Sequence, residues 1–238
     1  MMALNQSRHK VLLIEILKDI FTDPKLSTLL GFKGGTAAFL FHGLDRFSVD
    51  LDFDLLDQSQ TNTVFDELKT LLASYGKLKQ SDIKRYSLIF ILDYSGKVEG
   101  DQNVKVEVNL RNFGSMYENK HYLGIPMRVM VPRDMIAHKL IASYERIGKA
   151  NRDLYDSFFF LSQHWEINWE IIESRTGMSY LEFMKLLLQS VEKISNRSIL
   201  AGLGEVLDEK KKHWVKNHLR DELIFQLRIL IDAVEELQ

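Results

Sequence analysis

The sequence predicts an α+β fold in which a mixed sheet with its helices is followed by a helical second half. The stretches where apolar and polar residues alternate, as they do in half-buried strands, all lie before Pro132. Beyond Pro132, apolar residues recur at helical spacing. Strands followed by a run of helices are typical of α+β chains or of separate domains. We therefore predict an α/β core over residues 1–132 and a helical domain over residues 133–238.

The composition is that of a folded chain with a sizeable core. Of the 238 residues, 45% are hydrophobic and 27% are charged. The absence of cysteine excludes disulfides and thiolate metal sites. A net charge of −2 gives no overall signature of nucleic-acid binding and leaves room for a local basic patch. Since the sequence has neither a signal-peptide pattern nor an apolar run of about 18 residues, we expect a cytoplasmic protein with no membrane partner.

Helical and strand patterns alternate through the first half. An amphipathic helix ends before Asp23-Pro24, and a polar loop with Gly96 and Gly100 joins two later strands. The predicted helices of this half are 9–21, 36–41 and 61–75, and the predicted strands are 29–33, 47–55, 83–94, 104–110 and 127–131. The predicted helices of the second half are 133–147, 152–164, 168–174, 179–193, 199–217 and 220–237.

An acidic strand is the most informative feature of the first half. Successive side chains of a strand point to opposite faces, so Ser48, Asp50 and Asp52 are predicted to share one face. Asp54 extends that face. Carboxylates placed so closely repel one another unless a cation is present, and Mg²⁺ prefers oxygen ligands. The pattern indicates a metal site at Asp50 and Asp52, and the alternative is a strand whose polar face lies in water.

A glycine turn precedes the second predicted helix. In Gly34-Gly35-Thr36, the glycines allow the backbone to approach a ligand closely, and the helix N-terminus attracts anions such as a triphosphate. The pattern differs from a Walker P-loop, because G-x-x-x-x-G-K-[ST] is absent. The alternative is an ordinary tight turn.

A third carboxylate lies on the predicted strand 104–110. The valines of this strand face one side, and Lys105 and Glu107 face the other. Glu107 would complete a two-metal site with Asp50 and Asp52, in which ions roughly 3.5–4 Å apart bind the attacking and leaving oxygens of a phosphoryl displacement. The alternative is an ion pair between Glu107 and Lys105 on a wet sheet face.

Two segments resemble motifs of the AbiEii/AbiGii-type nucleotidyltransferase toxins. The segment KGGTAAFLFHGLDRFSVDLDFDL resembles the family's KGGT-like turn and helix, followed by R-x-S-x-D-x-D on a strand. The segment RDMIAHKLIASYERIGKANRDLYD resembles the family's later motif, a helical K-L followed by R-D-x-Y-D. The resemblance extends over about residues 30–160, and residues 165–238 match as a helical tail.

The resemblance implies a polymerase-β-like nucleotidyltransferase core and Mg²⁺-dependent transfer of a nucleotide from an NTP. It implies that Asp50 and Asp52 bind metal and that Glu107 takes the third-carboxylate position, where aspartate is also common. Asp54 lies beyond the family's D-x-D and is expected to be structural or peripheral. The residues expected to bind the triphosphate are Gly34, Gly35, Thr36 and Ser48. The setting would be a bacterial toxin–antitoxin or phage-defence system with a cognate antitoxin.

The later motif adds Lys139 and Asp153 to the expected catalytic residues. The resemblance assigns Lys139 to the phosphates and Asp153 to the acidic position of the last motif. For Lys139 the alternative is an ordinary helical lysine whose ammonium reaches solvent. Asp153 and Asp156 lie near a predicted helix N-terminus, where the helix dipole alone favours acids.

Three functions are compatible with these residues. The first is an enzyme that transfers nucleotides from an NTP to an RNA, with tRNA as first candidate, or to a protein, using one or two Mg²⁺ ions. The second is a metal-dependent nuclease, against which the order Lys105-x-Glu107 argues because it reverses the E-x-K pattern. The third is a non-catalytic module on the same fold that binds a nucleotide or a partner, against which the intact aspartates and glycines argue.

Overall fold

The computed structural model describes residues 5–96, 102–204 and 206–236 and confirms the predicted α+β class. The helices are α1 (Gln6–Thr22), α2 (Leu26–Leu29), α3 (Gly34–Phe41), α4 (Thr61–Ala73), α5 (Pro132–Arg146), α6 (Arg152–Ser162), α7 (Trp169–Thr176), α8 (Tyr180–Glu192), α9 (Glu209–Trp214) and α10 (Arg220–Glu235). The strands are β1 (Leu30–Lys33), β2 (Leu51–Leu55), β3 (Lys77–Ile83), β4 (Ser87–Asp93), β5 (Asn103–Asn109), β6 (Tyr117–Tyr122) and β7 (Ile125–Met130). Gln58–Gln60 form a 3₁₀ turn, and Val215–Leu219 form a π-helical turn between α9 and α10.

The described residues divide into two compact units. The first contains the chain up to Asn112 together with Met116–Met130, and the second contains Phe113–Ser115 together with the chain from Val131 onwards.

All seven strands of the first unit form one mixed sheet in the order β3-β4-β5-β2-β1-β7-β6. The pairs β2/β5 and β1/β7 are parallel, and the other pairs are antiparallel. This order places β2 between β1 and β5, so its polar side chains have a neighbour on each side.

One face of the sheet forms the core of the first unit. Phe32 and Phe53 on adjacent strands are fully buried, and their ring centroids lie 5.4 Å apart. Phe21 of α1 packs edge-on against Phe32, at 6.3 Å between centroids. Phe65 of α4 stacks on Phe90 of β4 at 5.2 Å. Because α1 and α4 cover the apolar face, the alternate positions of the same strands carry the polar residues on the other face.

The second unit is helical, as the sequence predicts for this half. Its inner residues come from α5, α6, α7, α8 and α10. Fully buried side chains such as Leu140, Phe160, Ile172, Phe183 and Leu227 form its core. Among the described residues, no helix is long and apolar enough to span a membrane.

Two strands, β3 and β6, are absent from the sequence prediction. Both are outermost in the sheet, and neither contains a buried residue. Their sequences, KLKQSDI and YENKHY, lack the apolar alternation that a half-buried strand shows. The predicted strand 83–94 also begins too early, because Ile83 belongs to β3 and the chain turns before β4 begins at Ser87.

The predicted strand 47–55 is correct for Leu51–Leu55 alone. The extended segment 47–50 lies outside the sheet, because pairing of β2 with β1 begins at Asp52 and pairing with β5 begins at Leu51. The strand alternation that was predicted to align Ser48 and Asp50 with Asp52 therefore does not reach them. Their positions are set by side-chain contacts.

The predicted helix 199–217 is wrong in its first part. The described residues from Ile199 to Gly204 form turns, and α9 begins at Glu209. Asp208 caps α9, because its carboxylate accepts a hydrogen bond from the Lys211 backbone at 2.8 Å. Residues 205 and 237 of the predicted helices, and Gly100 of the predicted loop, lie outside the described residues.

Candidate active site

The polar face of the central strands brings two of the predicted carboxylates together. In the ladder, Asp52 of β2 pairs with Glu107 of β5 on one side and with Lys33 of β1 on the other. Neighbouring strands lie about 4.8 Å apart, so Asp52 and Glu107 are adjacent residues of one surface.

Lys105 forms an ion pair on the same surface. Its ammonium lies 2.5 Å from Glu107 Oε2. Burial alone would lower the pKa of Lys105, but the hydrogen bond and charge of Glu107 outweigh that effect and raise it. The charges of Asp52 and Asp50 raise the pKa of Lys105 further. The ion pair of Glu107 with Lys105 is therefore present, and the charges of Asp52 and Asp50 act on the same ammonium.

The start of α3 holds the segment that leads to Asp50. The Thr36 hydroxyl donates to the backbone carbonyl of Asp50, and it lies 3.0 Å from the Ser48 hydroxyl. Thr36 and Ser48 are both buried. The structure thus brings Thr36, Ser48 and Asp50 together by hydrogen bonds.

A buried histidine of α1 holds the same segment from another direction. His9 is fully buried, and its Nε2 lies 2.9 Å from the carbonyl oxygen of Val49. Its Nδ1 lies 2.5 Å from the Tyr94 hydroxyl. Burial lowers the pKa of His9, and the hydrogen bond to Val49 and the charge of Asp50 oppose that effect without reversing it. The ring is therefore neutral, with Nε2–H donating to Val49 and Nδ1 accepting from Tyr94.

Both glycines of the turn are required, because the turn packs closely against residues 46–52. Gly34 has φ +77°, a conformation that L side chains rarely adopt, and a Cβ on it would meet the Asp52 carboxylate. A Cβ on Gly35 would lie 2.8 Å from Ser48 Oγ and 3.0 Å from Arg46 Nη2. The turn therefore packs directly against the segment that contains the predicted ligands.

Asp54 belongs to a closed hydrogen-bond network. Its Oδ1 lies 2.5 Å from the Lys33 ammonium and accepts from Asn109 Nδ2 at 2.7 Å. Its Oδ2 accepts from the Tyr117 hydroxyl at 2.5 Å. Burial would raise the pKa of Asp54, but the charge and hydrogen bonds of these partners lower it. Sequence patterns do not predict that Lys33, Asn109 and Tyr117 meet at Asp54, because the three residues come from three separate strands.

Lys139 and Asp153 lie in the second unit, where they contact each other. Lys139 Nζ lies 3.2 Å from Asp153 Oδ1 and 2.8 Å from Asp156 Oδ2. Asp153 Oδ2 makes a charge contact of 2.8 Å with Arg146 Nη2 that is not aligned as a hydrogen bond. Both aspartates are buried. Because the Lys139 ammonium contacts two buried carboxylates, the alternative of a lysine that reaches solvent is wrong.

The donor chemistry of the first unit fits a hard cation. Asp50, Asp52 and Glu107 offer carboxylate oxygens, the ligands that Mg²⁺ prefers. Within residues 5–96, 102–204 and 206–236, no three such side chains already converge as a metal cluster. The Lys105 ammonium is in contact with one of them, Glu107.

Solved structures share this fold. JHP933 from Helicobacter pylori is 20% identical with a TM-score of 0.62, over 100% of this chain and 96% of that chain. A second Helicobacter pylori structure is 23% identical with a TM-score of 0.63, over 100% and 99%. MenT4, a nucleotidyltransferase toxin from Mycobacterium tuberculosis H37Rv, is 17% identical with a TM-score of 0.57, over 93% and 83%. A comparison with curated protein sequences finds no match.

The mixed sheet with its acidic strand therefore has the nucleotidyltransferase fold, as the resemblance implied. The family model "Nucleotidyl transferase AbiEii toxin, Type IV TA system" matches residues 15–218. The chain belongs to this family of toxins and is an enzyme of the nucleotidyltransferase class, which confirms the family and the enzyme class predicted from the sequence.

Proposed function

We propose that this toxin transfers a nucleotide from an NTP to an RNA acceptor, with tRNA as first candidate, or to a protein, in a Mg²⁺-dependent reaction in the cytoplasm. The observation that carries the proposal is the pairing of Asp52 with Glu107 on adjacent strands, with the Lys105 ammonium 2.5 Å from Glu107. Carboxylates this close, with the charge of Asp50 acting on the same ammonium, favour binding of a hard cation together with its anionic substrate.

Asp50, Asp52 and Glu107 are the residues that would hold the metal ion or ions. When bound, Mg²⁺ supplies neutralising charge at the triphosphate and at the leaving pyrophosphate. To hold the ion, Glu107 would release its contact with Lys105. The Lys105 ammonium would then bind a phosphate oxygen.

The reaction is an in-line displacement at the α-phosphorus. A bond forms from the acceptor hydroxyl oxygen to the α-phosphorus, the bond from the α-phosphorus to the bridging oxygen breaks, and pyrophosphate leaves. The hydroxyl proton passes to one carboxylate of the cluster.

The remaining residues bind the triphosphate. The start of α3 offers backbone amides to an anion. The hydroxyls of Thr36 and Ser48 contact each other there, and Thr36 holds the Asp50 carbonyl. Lys139 is proposed to contact a phosphate, with Asp153 orienting its ammonium through the 3.2 Å contact. The residues assigned to the triphosphate at α3 are Gly34, Gly35, Thr36 and Ser48.

The family assignment extends the proposal to partners. Membership of a type IV toxin–antitoxin family supports a cognate antitoxin that opposes this activity in the cell. We propose phage defence as the setting in which the toxin is released.

The test is nucleotide transfer by the full chain. The protein is incubated with Mg²⁺, total bacterial RNA and each labelled NTP in turn, and label is measured on RNA and on protein. Asp52→Asn is expected to lower transfer by about 10²–10³-fold, because it weakens a ligand of the ion that would stabilise charge on the reacting phosphates. Chelation of the metal is expected to stop the reaction.

Asp66→Asn is the matched control, since Asp66 is an exposed aspartate of α4 in the same unit. It is expected to transfer at the wild-type rate. Full activity of a folded Asp52→Asn variant, or transfer that persists in excess chelator, would contradict the proposed site. Label on protein alone would assign the acceptor to the protein class.

A further inference from the structure

The turn between β3 and β4 exposes an aromatic ring beside two guanidinium groups. Tyr86 is 47% exposed. The Cζ atom of Arg85 lies 4.9 Å from the centroid of the Tyr86 ring, and the Cζ atom of Arg111 lies 5.4 Å from it. Arg85, Arg111 and Lys84 of the same turn are all exposed. An aromatic surface and three cationic residues are thus grouped at one end of the central strands.

Backbone hydrogen bonds hold this group in place. The Lys84 amide donates to the Ser87 carbonyl at 2.8 Å, and the Leu110 amide donates to the Tyr86 carbonyl at 2.9 Å. Arg111 Nε donates to Asn109 Oδ1 at 3.2 Å. Because the turn is fixed before any ligand arrives, binding to it loses less conformational entropy than binding to a mobile loop.

Basic residues outnumber acidic ones in the segments that meet at Tyr86. Asp82 is the acid of this turn, and its carboxylate accepts a hydrogen bond from Gln80 at 2.6 Å. The residues Lys84, Arg85 and Arg111 outnumber it. Ile83, which is 49% exposed, adds apolar surface next to these charges.

A second exposed aromatic residue, Phe225 of α10, has a different environment. It is 61% exposed in the second unit. The two arginines near it are each paired with an acid, at 3.1 Å between Arg220 and Asp221 and at 2.8 Å between Arg228 and Glu192. Exposure of an aromatic ring therefore coincides with two cation–π contacts at Tyr86 and with two arginine–carboxylate pairs near Phe225.

We propose that Tyr86, Arg85 and Arg111 form a binding site for single-stranded RNA, in which a nucleobase stacks on the exposed surface of the Tyr86 ring. Aromatic rings bind the bases of single strands by stacking, and arginines contribute cation–π and phosphate contacts. A base-paired duplex does not offer the unstacked base that such a ring binds. This inference rests on the proposed function, because the RNA bound here is the proposed acceptor of the nucleotide.

The position of the site just beyond the end of β5 suits an acceptor that also reaches the carboxylates. Four positions separate Glu107 from Arg111, so their Cα atoms are at most roughly 13 Å apart at about 3.3 Å per residue. Sites for single strands cover about 4–16 nucleotides. One RNA segment is therefore long enough to contact Tyr86 and the Glu107 region together.

The test measures binding of the full chain to a fluorescent single-stranded RNA of about 12 nucleotides, a length within the usual site size. The measurement is made without NTP or Mg²⁺ and across a salt series. Tyr86→Leu, which keeps an apolar side chain and removes the ring, is expected to weaken binding about tenfold. Tyr86→Trp is expected to retain binding. Arg85→Glu is expected to weaken binding and to reduce the slope of log affinity against log salt by about one or more.

Two control variants separate the site from general effects of charge and hydrophobicity. Lys69 lies beside the Phe65 ring in α4, at 5.9 Å from its centroid, so Lys69→Glu makes the same charge change as Arg85→Glu at another cation–π pair of the same unit. Phe225→Leu removes the other exposed aromatic ring. Both are expected to bind RNA like the wild type.

The outcomes are distinct. The inference is overturned if folded Tyr86→Leu binds the RNA like the wild type, if Lys69→Glu weakens binding as much as Arg85→Glu does, or if a duplex RNA of the same length binds as tightly. The binding assay contains no NTP or Mg²⁺, so it does not depend on nucleotide transfer. If the protein binds the RNA at this site but transfers no nucleotide, the result counts against the proposed function and leaves the RNA site standing.

Discussion

The imidazole of His9 binds the carbonyl oxygen of Val49, the residue that precedes Asp50. The contact joins α1 to a segment that has no ladder partner of its own. Together with Thr36, which binds the Asp50 carbonyl, it fixes the backbone on which the Asp50 carboxylate is carried.

Replacement of His9 tests this role. His9→Phe leaves the Val49 carbonyl and the Tyr94 hydroxyl without their partner, and we expect a loss of about 1–3 kcal/mol in the free energy of unfolding. His9→Gln restores one amide donor and is expected to recover nucleotide transfer more fully than stability. Urea denaturation and transfer rates of both variants give the comparison. If His9→Phe and His9→Gln lose the same fraction of transfer, the hydrogen bond does not position Asp50.

Gly35 is a second position where stability and activity are coupled. Gly35→Ala places a Cβ against Ser48 Oγ and Arg46 Nη2, so we expect a lower thermal midpoint and weaker NTP binding. The double variant Gly35→Ala/Ser48→Gly removes one of the two obstacles and is expected to recover part of the midpoint. NTP affinity is measured by titration calorimetry. If the thermal midpoint of the double variant rises above that of Gly35→Ala while the NTP affinities of the two variants are the same, the turn serves NTP binding through its own backbone.

Lys139→Met is expected to destabilise the second unit. The change leaves the Asp156 carboxylate buried without its cation, and breaking a buried ion pair in this way typically costs about 3–5 kcal/mol. Lys139→Met/Asp156→Asn removes the uncompensated charge and is expected to recover most of the thermal midpoint while transfer stays low. Recovery of both midpoint and transfer in the double variant would rule out a role for Lys139 at the phosphates.

Acid is expected to destabilise the first unit through His42. Burial, with a contribution from the charge of Lys120, lowers the pKa of His42 to about 4, against the opposing effects of Glu118 and the Met130 backbone. Between the ordinary histidine pKa near 6.5 and about 4, the unfolded chain binds a proton that the folded chain does not. The free energy of unfolding therefore falls as the pH drops through this window, and His9, whose pKa is lowered by burial, acts in the same direction.

His42→Gln is the variant that isolates this effect. The urea midpoints of wild type and variant are compared at about pH 7 and pH 5, on either side of the ordinary histidine pKa. We expect the urea midpoint to change less between the two pH values in the variant than in the wild type. An equal acid-induced drop in both proteins would assign it to other groups.

The parts of the fold and site that the sequence predicts are those where burial leaves a periodic pattern. The alternation of β2, β4 and β5 reflects one buried face, and it placed Asp52 and Glu107 on the opposite face. The edge strands β3 and β6 have no buried face, so no pattern revealed them.

Contacts between distant residues set the rest of the site. The sequence treated Ser48 and Asp50 as strand residues, whereas Thr36 and His9 fix their segment outside the sheet. The network around Asp54 and the sharing of Lys105 likewise depend on which strands are neighbours. Periodicity along the chain contains no information on that order, and the family motifs supplied the candidate residues without their partners.

The Tyr117 hydroxyl donates to Asp54, and the ring that carries it occupies the space where a side chain at position 31 would lie. A larger residue at Gly31 is therefore compatible with the sheet only if residue 117 becomes smaller, and the Asp54 hydrogen bond is then lost. In an alignment of related toxins, positions 31 and 117 should vary together, although they lie on different strands that do not pair.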